Sequence, residues 1–204
     1  MPRIRILQTA AVTVIDYRCT SGPDDVAFAE AHARHSISYV RKGTFGCECR
    51  GRVLDLVPGS LFIGHPGDEY ICSHSHQRGG DECLSFQFEP ELADEIAPTQ
   101  WRVGMVPPLP ELVVLGERGQ VAAERGYAIA LDEIGLLLGA RFAHLTGMST
   151  HGPGAMRPAQ RRKAIEIALW MDAHAAERFD LPRLARAAGL SSYHFLRCSR
   201  ACWV

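Results

Sequence analysis

The sequence lacks a long uninterrupted apolar run and an N-terminal pattern typical of an export signal. Its longest apolar stretch, from about Ile134 to Ala143, is interrupted by two glycines and by Arg141, so it is unsuited to crossing a bilayer. The N-terminal segment has no apolar core followed by small residues at a cleavage site. We therefore expect a cytoplasmic protein without a membrane partner.

Motifs of nucleophilic and nucleotide-dependent enzymes are also missing. We find no glycine-rich phosphate loop and no pattern that indicates a Ser-His-Asp or Cys-His nucleophile, so we expect no catalytic residues and no enzyme. Hydrophobic residues make up 47% and charged residues 22% of the 204, which is typical of a folded protein and excludes a disordered tail or a coiled coil. Without an export signal, the seven cysteines are expected to be thiols, metal ligands or core residues.

The net charge of −1 is unevenly distributed along the chain. Residues 157–204 contain nine Arg and Lys against four Asp and Glu, whereas residues 1–156 contain thirteen against nineteen. A basic C-terminal part behind an acidic part is typical of a regulatory module joined to a nucleic-acid-binding module. Chance scatter of charge is the alternative explanation.

Regularly spaced turn residues dominate the chain up to about residue 90. Glycine and proline turn signals recur between short segments rich in β-forming residues, such as 61–63 and 84–88. Many short strands with tight turns predict an antiparallel sandwich or small barrel. The predicted fold class is therefore α+β, with a cupin-like β-barrel over residues 1–108 followed by helices.

The next segment, residues 109–147, has helical periodicity. We expect helices at about 111–118 and 124–146, the second with an apolar stripe spaced by three and four residues: Ile134, Leu137, Leu138, Arg141, Phe142 and Leu145. This stripe either packs on the barrel or forms a helix pair for self-association in a homodimer. Residues 148–160 are rich in glycine, proline and small polar residues, and they are predicted to be a linker.

The C-terminal part, residues 161–204, begins with a predicted helix that runs to about Glu177. A second helix follows, capped by Asp180 with Pro182 in its first turn, and Gly189 ends it. Ser191 is placed to cap a third helix that is anchored by Phe195. Two short helices joined by a glycine turn predict a helix-turn-helix, whose second helix enters the DNA major groove.

Residues 184–197, LARAAGLSSYHFLR, closely resemble the first helix-turn-helix of the AraC/XylS family of bacterial transcription regulators. That resemblance implies a cupin-type effector domain, a linker and a DNA-binding domain in the order deduced above, with DNA, a small-molecule effector and a second copy of the chain as partners. It also implies that His194 and Phe195 pack and position the helix. The base-facing candidates are Ser192, Tyr193, Leu196 and Arg197, of which Arg197 is suited to bidentate bonding to guanine.

The sequence departs from the family after Arg197. The family has two helix-turn-helix units and continues with an apolar-Phe pair, whereas this sequence reads CSRACWV over residues 198–204. Deleting one C from the second codon of CGC CTG TTC TCG CGC GTG CTG GGT G converts the family-like Arg-Leu-Phe-Ser-Arg-Val-Leu-Gly into Arg-Cys-Ser-Arg-Ala-Cys-Trp-Val, the ending present here. We therefore expect a truncated or frameshifted regulator whose DNA binding is weak or lost, because half of the phosphate contacts are missing. Sequencing the source gene past these codons tests this expectation.

Residues 68–83 combine cysteine and histidine at an unusual spacing. On a strand, Cys72, His74 and His76 share one face, and the glycines at 79 and 80 allow Cys83 to return nearby. Two thiolates and two imidazoles suit tetrahedral zinc, so Cys72, His74, His76 and Cys83 are candidate metal ligands. The alternatives are a polar strand face without metal, and redox sensing by Cys72 with Cys83 or by Cys47 with Cys49.

Two further functions are left open by the sequence. A small metal-binding cupin enzyme would need paired histidines on one strand face, but His32 and His35 are spaced wrongly for this, and Tyr70 stands where a later histidine would follow Pro66 and Gly67. The other is an oligomerisation module without DNA binding. The interpretation that accounts for most features is an AraC-like regulator whose barrel senses a small molecule, a metal or a redox change.

Overall fold

A computed structural model describes residues 3–8, 11–74, 80–148 and 158–196. The strands are Arg3–Gln8 (β1), Val12–Cys19 (β2), Ala29–Ala31 (β3), His35–Lys42 (β4), Phe45–Cys49 (β5), Arg52–Leu56 (β6), Leu61–Gly64 (β7), Glu69–Ser73 (β8), Asp81–Phe88 (β9) and Met105–Val106 (β10). The helices are Pro90–Ile96 (α1), Pro110–Arg125 (α2), Ala128–Met148 (α3), Pro158–Ala173 (α4) and Leu181–Ala187 (α5), with a 3₁₀ turn at Gln100–Arg102.

The strands form two antiparallel sheets. The larger sheet has the order β1-β2-β9-β4-β7-β10, and the smaller has the order β3-β8-β5-β6. The predicted α+β class, with an antiparallel N-terminal part followed by helices, is confirmed. Each strand of the larger sheet alternates its side chains between two environments, as a strand must.

One face of the larger sheet packs against helices. On β9, Leu84, Phe86 and Phe88 are buried in a cluster that also contains Leu112 of α2 and Leu138 of α3. The opposite face carries the cavity described below. The helix layer is therefore required to bury the apolar face of this sheet.

The helices α2 and α3 approach the sheet closely. A Cβ atom at Gly116 of α2 would collide with the ring of Tyr39 on β4, so only glycine allows this crossing. Tyr39 in turn donates a hydrogen bond of 2.6 Å from its hydroxyl to Oε1 of Glu117. Close packing of this kind places α2 and α3 in the same compact unit as the sheets, Met1–Thr150, so the boundary predicted at residue 108 does not separate two compact units.

The break between the two predicted helices lies later than expected. Helix α2 continues through Gly119, which packs near Phe86, and ends at Gly126, whose φ of 72° is left-handed. The apolar stripe of α3 packs inward: Ile134, Leu138 and Phe142 lie in the core, whereas 43% of Leu137 is exposed. The stripe therefore follows the first of its two interpretations, packing on the sheet.

The second compact unit is His151–Val204. Its helix α4 begins at Pro158, so the last residues of the predicted linker are helical. Residues 192–196 form a further short helix after α5. Among the described residues, no helix is both long and apolar enough to cross a membrane.

Candidate functional site

A cavity of about 260 Å³ lies between the two sheets. Its walls come from β1, β2, β4, β7 and β9 of the larger sheet, from β3, β5 and β8 of the smaller sheet, and from the loop over residues 21–28. Strands β4 and β9 of the larger sheet present to the cavity the side chains that alternate with the helix-facing ones. Apolar, aromatic and polar groups all contribute, which is typical of a small-molecule site.

The larger sheet gives the cavity a polar wall. Ser36 and Ser38 of β4 lie beside Ser85 and Gln87 of β9, at positions where a closed core would carry apolar residues. The hydroxyl of Ser38 donates a 2.9 Å hydrogen bond to that of Ser85. This wall therefore offers hydroxyl and amide groups to an occupant of the cavity.

Aromatic rings from both sheets and the imidazole of His32 also line the cavity: Phe62 lies on β7 of the larger sheet, beside Ser38, and Tyr70 lies on β8 of the smaller sheet. The ring of His32 packs on Tyr70 and Phe62, at centroid distances of 4.4 and 5.0 Å. Burial lowers the pKa of His32 to about 4, so the ring is neutral at pH 7. Its Nε2 atom is buried and has no hydrogen-bond partner within the described part of the chain, which is costly unless a ligand or water completes it.

Two tyrosines line the cavity near an acidic residue. The hydroxyl of Tyr70 donates a hydrogen bond of 3.2 Å to Oε2 of Glu30 on β3. Burial, followed by the charge of Glu30, raises the pKa of both Tyr17 and Tyr70, so both phenols stay protonated at neutral pH. Both hydroxyls therefore carry a proton that can be donated.

Cys19, His74 and Asp81 meet in the wall of this cavity. The Sγ atom, one imidazole nitrogen and one carboxylate oxygen lie within 4.8 Å of one another. Nε2 of His74 is 2.9 Å from Oδ2 of Asp81, and both side chains are nearly buried. Burial raises the pKa of Asp81, and the hydrogen bond to His74 opposes that shift.

The described members of the predicted metal set, Cys72, His74 and Cys83, do not form one cluster with each other. Cys72 pairs across the strands with Cys47 of β5, whereas the buried Sγ of Cys83 lies 3.8 Å from Oδ1 of Asp81. Of the predicted set, His74 is the member that belongs to the Cys19 cluster, and His76 lies outside the described residues. The five cysteines of the described ranges are free thiols, and redox sensing stays a prediction.

Sequence reasoning missed Cys19 and Asp81. The two residues are register partners on adjacent strands β2 and β9, far apart along the chain. Local spacing contains no signal for such a pairing, because register is set by the tertiary arrangement of strands. The sequence pattern therefore pointed to His74 alone among the three residues of the Cys19 cluster.

The second unit contains the predicted capping residues. The side chain of Asp180 accepts a 2.9 Å hydrogen bond from the backbone N–H of Arg183, and Gly189 has a left-handed φ of 64°. Ser191 accepts a 3.3 Å bond from the N–H of His194, and Phe195 is buried with Ala185 and Ala188. These contacts fix two short helices around a glycine turn.

The predicted base-facing residues are accessible where they are described. The exposed fraction is 70% for Tyr193 and 48% for Leu196, and Ser192 is half-buried. Arg197 lies outside the described residues. His194, predicted to pack, is exposed and has its Nδ1 2.8 Å from the hydroxyl of Ser191.

Comparison with known families identifies the first unit. Residues 16–125, more than half of the chain, match the AraC-like ligand binding domain. The chain belongs to this family. The match covers all the residues that line the cavity except Ile4 and Ile15, together with α1 and α2, so the cavity belongs almost entirely to the AraC-like ligand binding domain.

Solved structures extend this comparison. The chain resembles the AraC-like transcriptional activator CuxR, with a TM-score of 0.54 and 11% identity over 98% of this chain and 73% of that chain. It also matches a cupin 2 conserved barrel domain protein from Salinispora arenicola CNS-205, with a TM-score of 0.38 and 13% identity over 46% and 81% of the two chains. The likeness to CuxR is one of fold. No curated protein matches the sequence.

Proposed function

We propose that this chain is the sensor of a transcription regulator, which binds a small molecule in the cavity between its two sheets. The observation that carries the proposal is the cavity itself, lined by serine hydroxyls and aromatic rings within the AraC-like ligand binding domain. A sensor needs a site that binds its ligand more tightly in one conformation of the protein than in another, because the ligand then shifts the equilibrium between the two. The cavity is suited to that role.

The cavity walls favour an uncharged molecule with a planar ring and hydroxyl or amide groups. The rings of Tyr70 and Phe62 offer stacking surfaces, and the unpaired Nε2 of His32 offers a hydrogen bond. Ser38 and Ser85 offer further hydroxyl groups from the larger sheet. A neutral imidazole does not compensate a full negative charge, so an anion is disfavoured unless a cation accompanies it.

Thermal-shift screening of a library of small ring compounds tests ligand binding. A compound present at about 100 times its dissociation constant should stabilise the wild-type chain by about 2.7 kcal/mol. Ser38→Leu fills the cavity and should abolish this shift, whereas Glu48→Leu places the same side chain at an exposed position outside it. Equal shifts in both variants would contradict binding in the cavity.

Binding of DNA by the second unit is the second part of the proposal. Tyr193 and Leu196 are exposed at the start and end of a short helix that follows a glycine turn, and the resemblance of residues 184–197 to a regulator motif supports a role in base contact. Selection from a pool of random duplex DNA should enrich a shared sequence. Tyr193→Ala should then weaken binding of that sequence about tenfold, consistent with 1–3 kcal/mol per base contact.

A control variant makes the DNA experiment specific. Met171 on α4 is an exposed apolar side chain of the same unit. Met171→Ala should leave the folded unit intact, because surface substitutions change folding stability by about 0.5 kcal/mol or less. The affinity for the selected DNA sequence should therefore stay within about twofold of the wild type. Failure of the wild-type chain to enrich any sequence would remove DNA binding from the proposal. Ligand binding by the first unit would be untouched by that result.

The third part of the proposal is that the chain forms a homodimer through α2 and α3. Their outer surface exposes apolar residues at seven-residue spacing, which places them on one face of each helix: Val114 and Val121 on α2, Ile129 and Leu136 on α3. Light scattering should give the mass of a dimer for the wild-type chain. Ile129→Lys should shift it towards the monomer, whereas Val53→Lys, at an equally apolar exposed site on β6, should not.

Sensing rather than catalysis is proposed for the cavity. His32 and His35 diverge, since His32 packs on Tyr70 and His35 packs on Trp101 and His65, so the two imidazoles do not form one ligand pair. A small metal-binding enzyme is the alternative, and the cluster of Cys19, His74 and Asp81 favours it. Turnover of a cavity ligand by the metal-loaded protein would support that alternative.

A further inference from the structure

We infer that Cys19, His74 and Asp81 bind one zinc ion in the cavity wall. The inference goes beyond ligand sensing and does not depend on it, because the site needs only the fold of the first unit. It also differs from the set expected from the sequence, since Cys72 and Cys83 are not among the ligands.

The three donors form a set that zinc prefers. A thiolate, an imidazole and a carboxylate are the ligand types of this borderline-soft cation, and three protein ligands leave a fourth position open. Magnesium and calcium prefer oxygen ligands alone, so the thiol and imidazole disfavour them. All three residues line the cavity, which places the open position towards its interior.

The donor spacing is close to that of a tetrahedral site. With bonds of about 2.0 to 2.3 Å, ligand atoms around zinc lie about 3.3 to 3.6 Å apart. The donors here are all within 4.8 Å of one another, and the His74 to Asp81 separation is 2.9 Å. Side-chain movements that shift the donor atoms by less than about 1.5 Å would therefore convert the present hydrogen-bonded cluster into a metal site.

The backbone holds two of the ligands together. Cys19 and Asp81 are register partners at the ends of β2 and β9. Gly80, just before Asp81, has a φ of 75°, and a Cβ atom there would collide with the carbonyl oxygen of Cys19. Glycine at this position therefore allows the two strand ends to approach closely.

Zinc at this site would connect the two sheets. Cys19 and Asp81 belong to the larger sheet, whereas His74 directly follows β8 of the smaller sheet. A ligand that binds the folded state and not the unfolded state raises the stability of the fold. Zinc should therefore raise the melting temperature of the wild-type chain.

Metal titration of the full chelator-treated chain tests the inference. Cobalt(II) should bind at one ion per chain and give the near-ultraviolet absorption of a thiolate–cobalt bond, and zinc should displace it. Cys19→Ser should abolish that absorption, remove the zinc-dependent rise in melting temperature, and lower zinc affinity by at least about tenfold. Loss of a residue that only orients a metal ligand already lowers metal affinity by about 10- to 100-fold, so loss of a ligand itself should lower it at least as much.

Cys72→Ser is the matched control, because it removes a cavity-lining thiol that lies outside the cluster. It should retain the absorption and the affinity. The inference is overturned if the wild-type chain gives no thiolate–cobalt absorption, if Cys19→Ser retains it, or if Cys72→Ser loses it. Should Cys19→Ser fail to fold, as judged by circular dichroism without metal, Asp81→Asn decides: zinc affinity should fall at least about tenfold, and an unchanged affinity overturns the site.

Discussion

His32 packs against the rings of Phe62 and Tyr70, and its Nε2 atom is buried. Burial opposes protonation, with the neighbouring His65 adding to the effect and Asp68 opposing it. One buried imidazole thus contributes both a polar atom for a ligand and a dependence of folding on pH. Its position was visible in the sequence, but its orientation was not, because the spacing to His35 does not show which ring faces the cavity.

The pH dependence of stability tests the burial of His32. The pKa falls from an ordinary 6.5 to about 4, so between these values the unfolded chain binds more protons than the folded one, and stability decreases as pH falls through this window. His32→Phe removes this contribution. Its free energy of unfolding should therefore vary less with pH than that of the wild type, by at most about 3 kcal/mol.

Urea unfolding above pH 6.5 and near pH 4 measures this difference. His144→Gln is the control, because it removes an exposed histidine on α3, and it should keep the pH dependence of the wild type. Identical pH dependence in His32→Phe and the wild type would mean that His32 is accessible to solvent.

The elements of this chain differ in how far local chemistry determines them. Helix α5 begins and ends where Asp180 and Gly189 predict, because a side-chain cap and a left-handed glycine act within one turn. Helix α2 ends later than expected, because Gly119 faces the sheet rather than ending the helix. The Cys19 cluster escaped prediction because the register of β2 and β9 joins distant parts of the chain.

Capping of α5 can be measured directly. Asp180→Ala removes the acceptor for the N–H of Arg183 and should destabilise the second unit by about 1 kcal/mol. Asp180→Asn keeps a capping oxygen and should retain most of the stability. Hydrogen exchange of peptides from α5 gives both values, and equal losses in the two variants would show that the negative charge rather than the cap stabilises this helix.

The whole molecule contains separate hydrophobic cores of very different size. The first unit has extensive clusters on both faces of its larger sheet, whereas the described core of the second unit centres on Ala185, Ala188 and Phe195. The pattern of turns and periodicity predicted that a sheet part precedes the helices along the chain. It could not predict that α2 and α3 join the first core, because the apolar stripe of α3 was compatible with either partner.

Phe195→Ala should disrupt the second unit selectively. Removing a buried phenylalanine costs about 3 to 5 kcal/mol, which is a large loss for so small a core. Hydrogen exchange should rise in peptides from α5 and from 192–196 and stay unchanged in β9. Leu196→Ala, at the adjacent exposed position, should leave exchange unchanged, and increased exchange in that variant would indicate that Leu196 also packs.

The polar wall of the cavity determines the shortest fragment of this chain that can be fused to another protein as a folded sensor. Because serines occupy the inner face of the larger sheet, that sheet obtains much of its apolar burial on its outer face, where α3 contributes Ile134, Leu138 and Phe142. A fragment ending at residue 125, where the family match ends, would expose that face to water. A chimeric sensor built from this protein must therefore retain the chain through Met148, the end of α3.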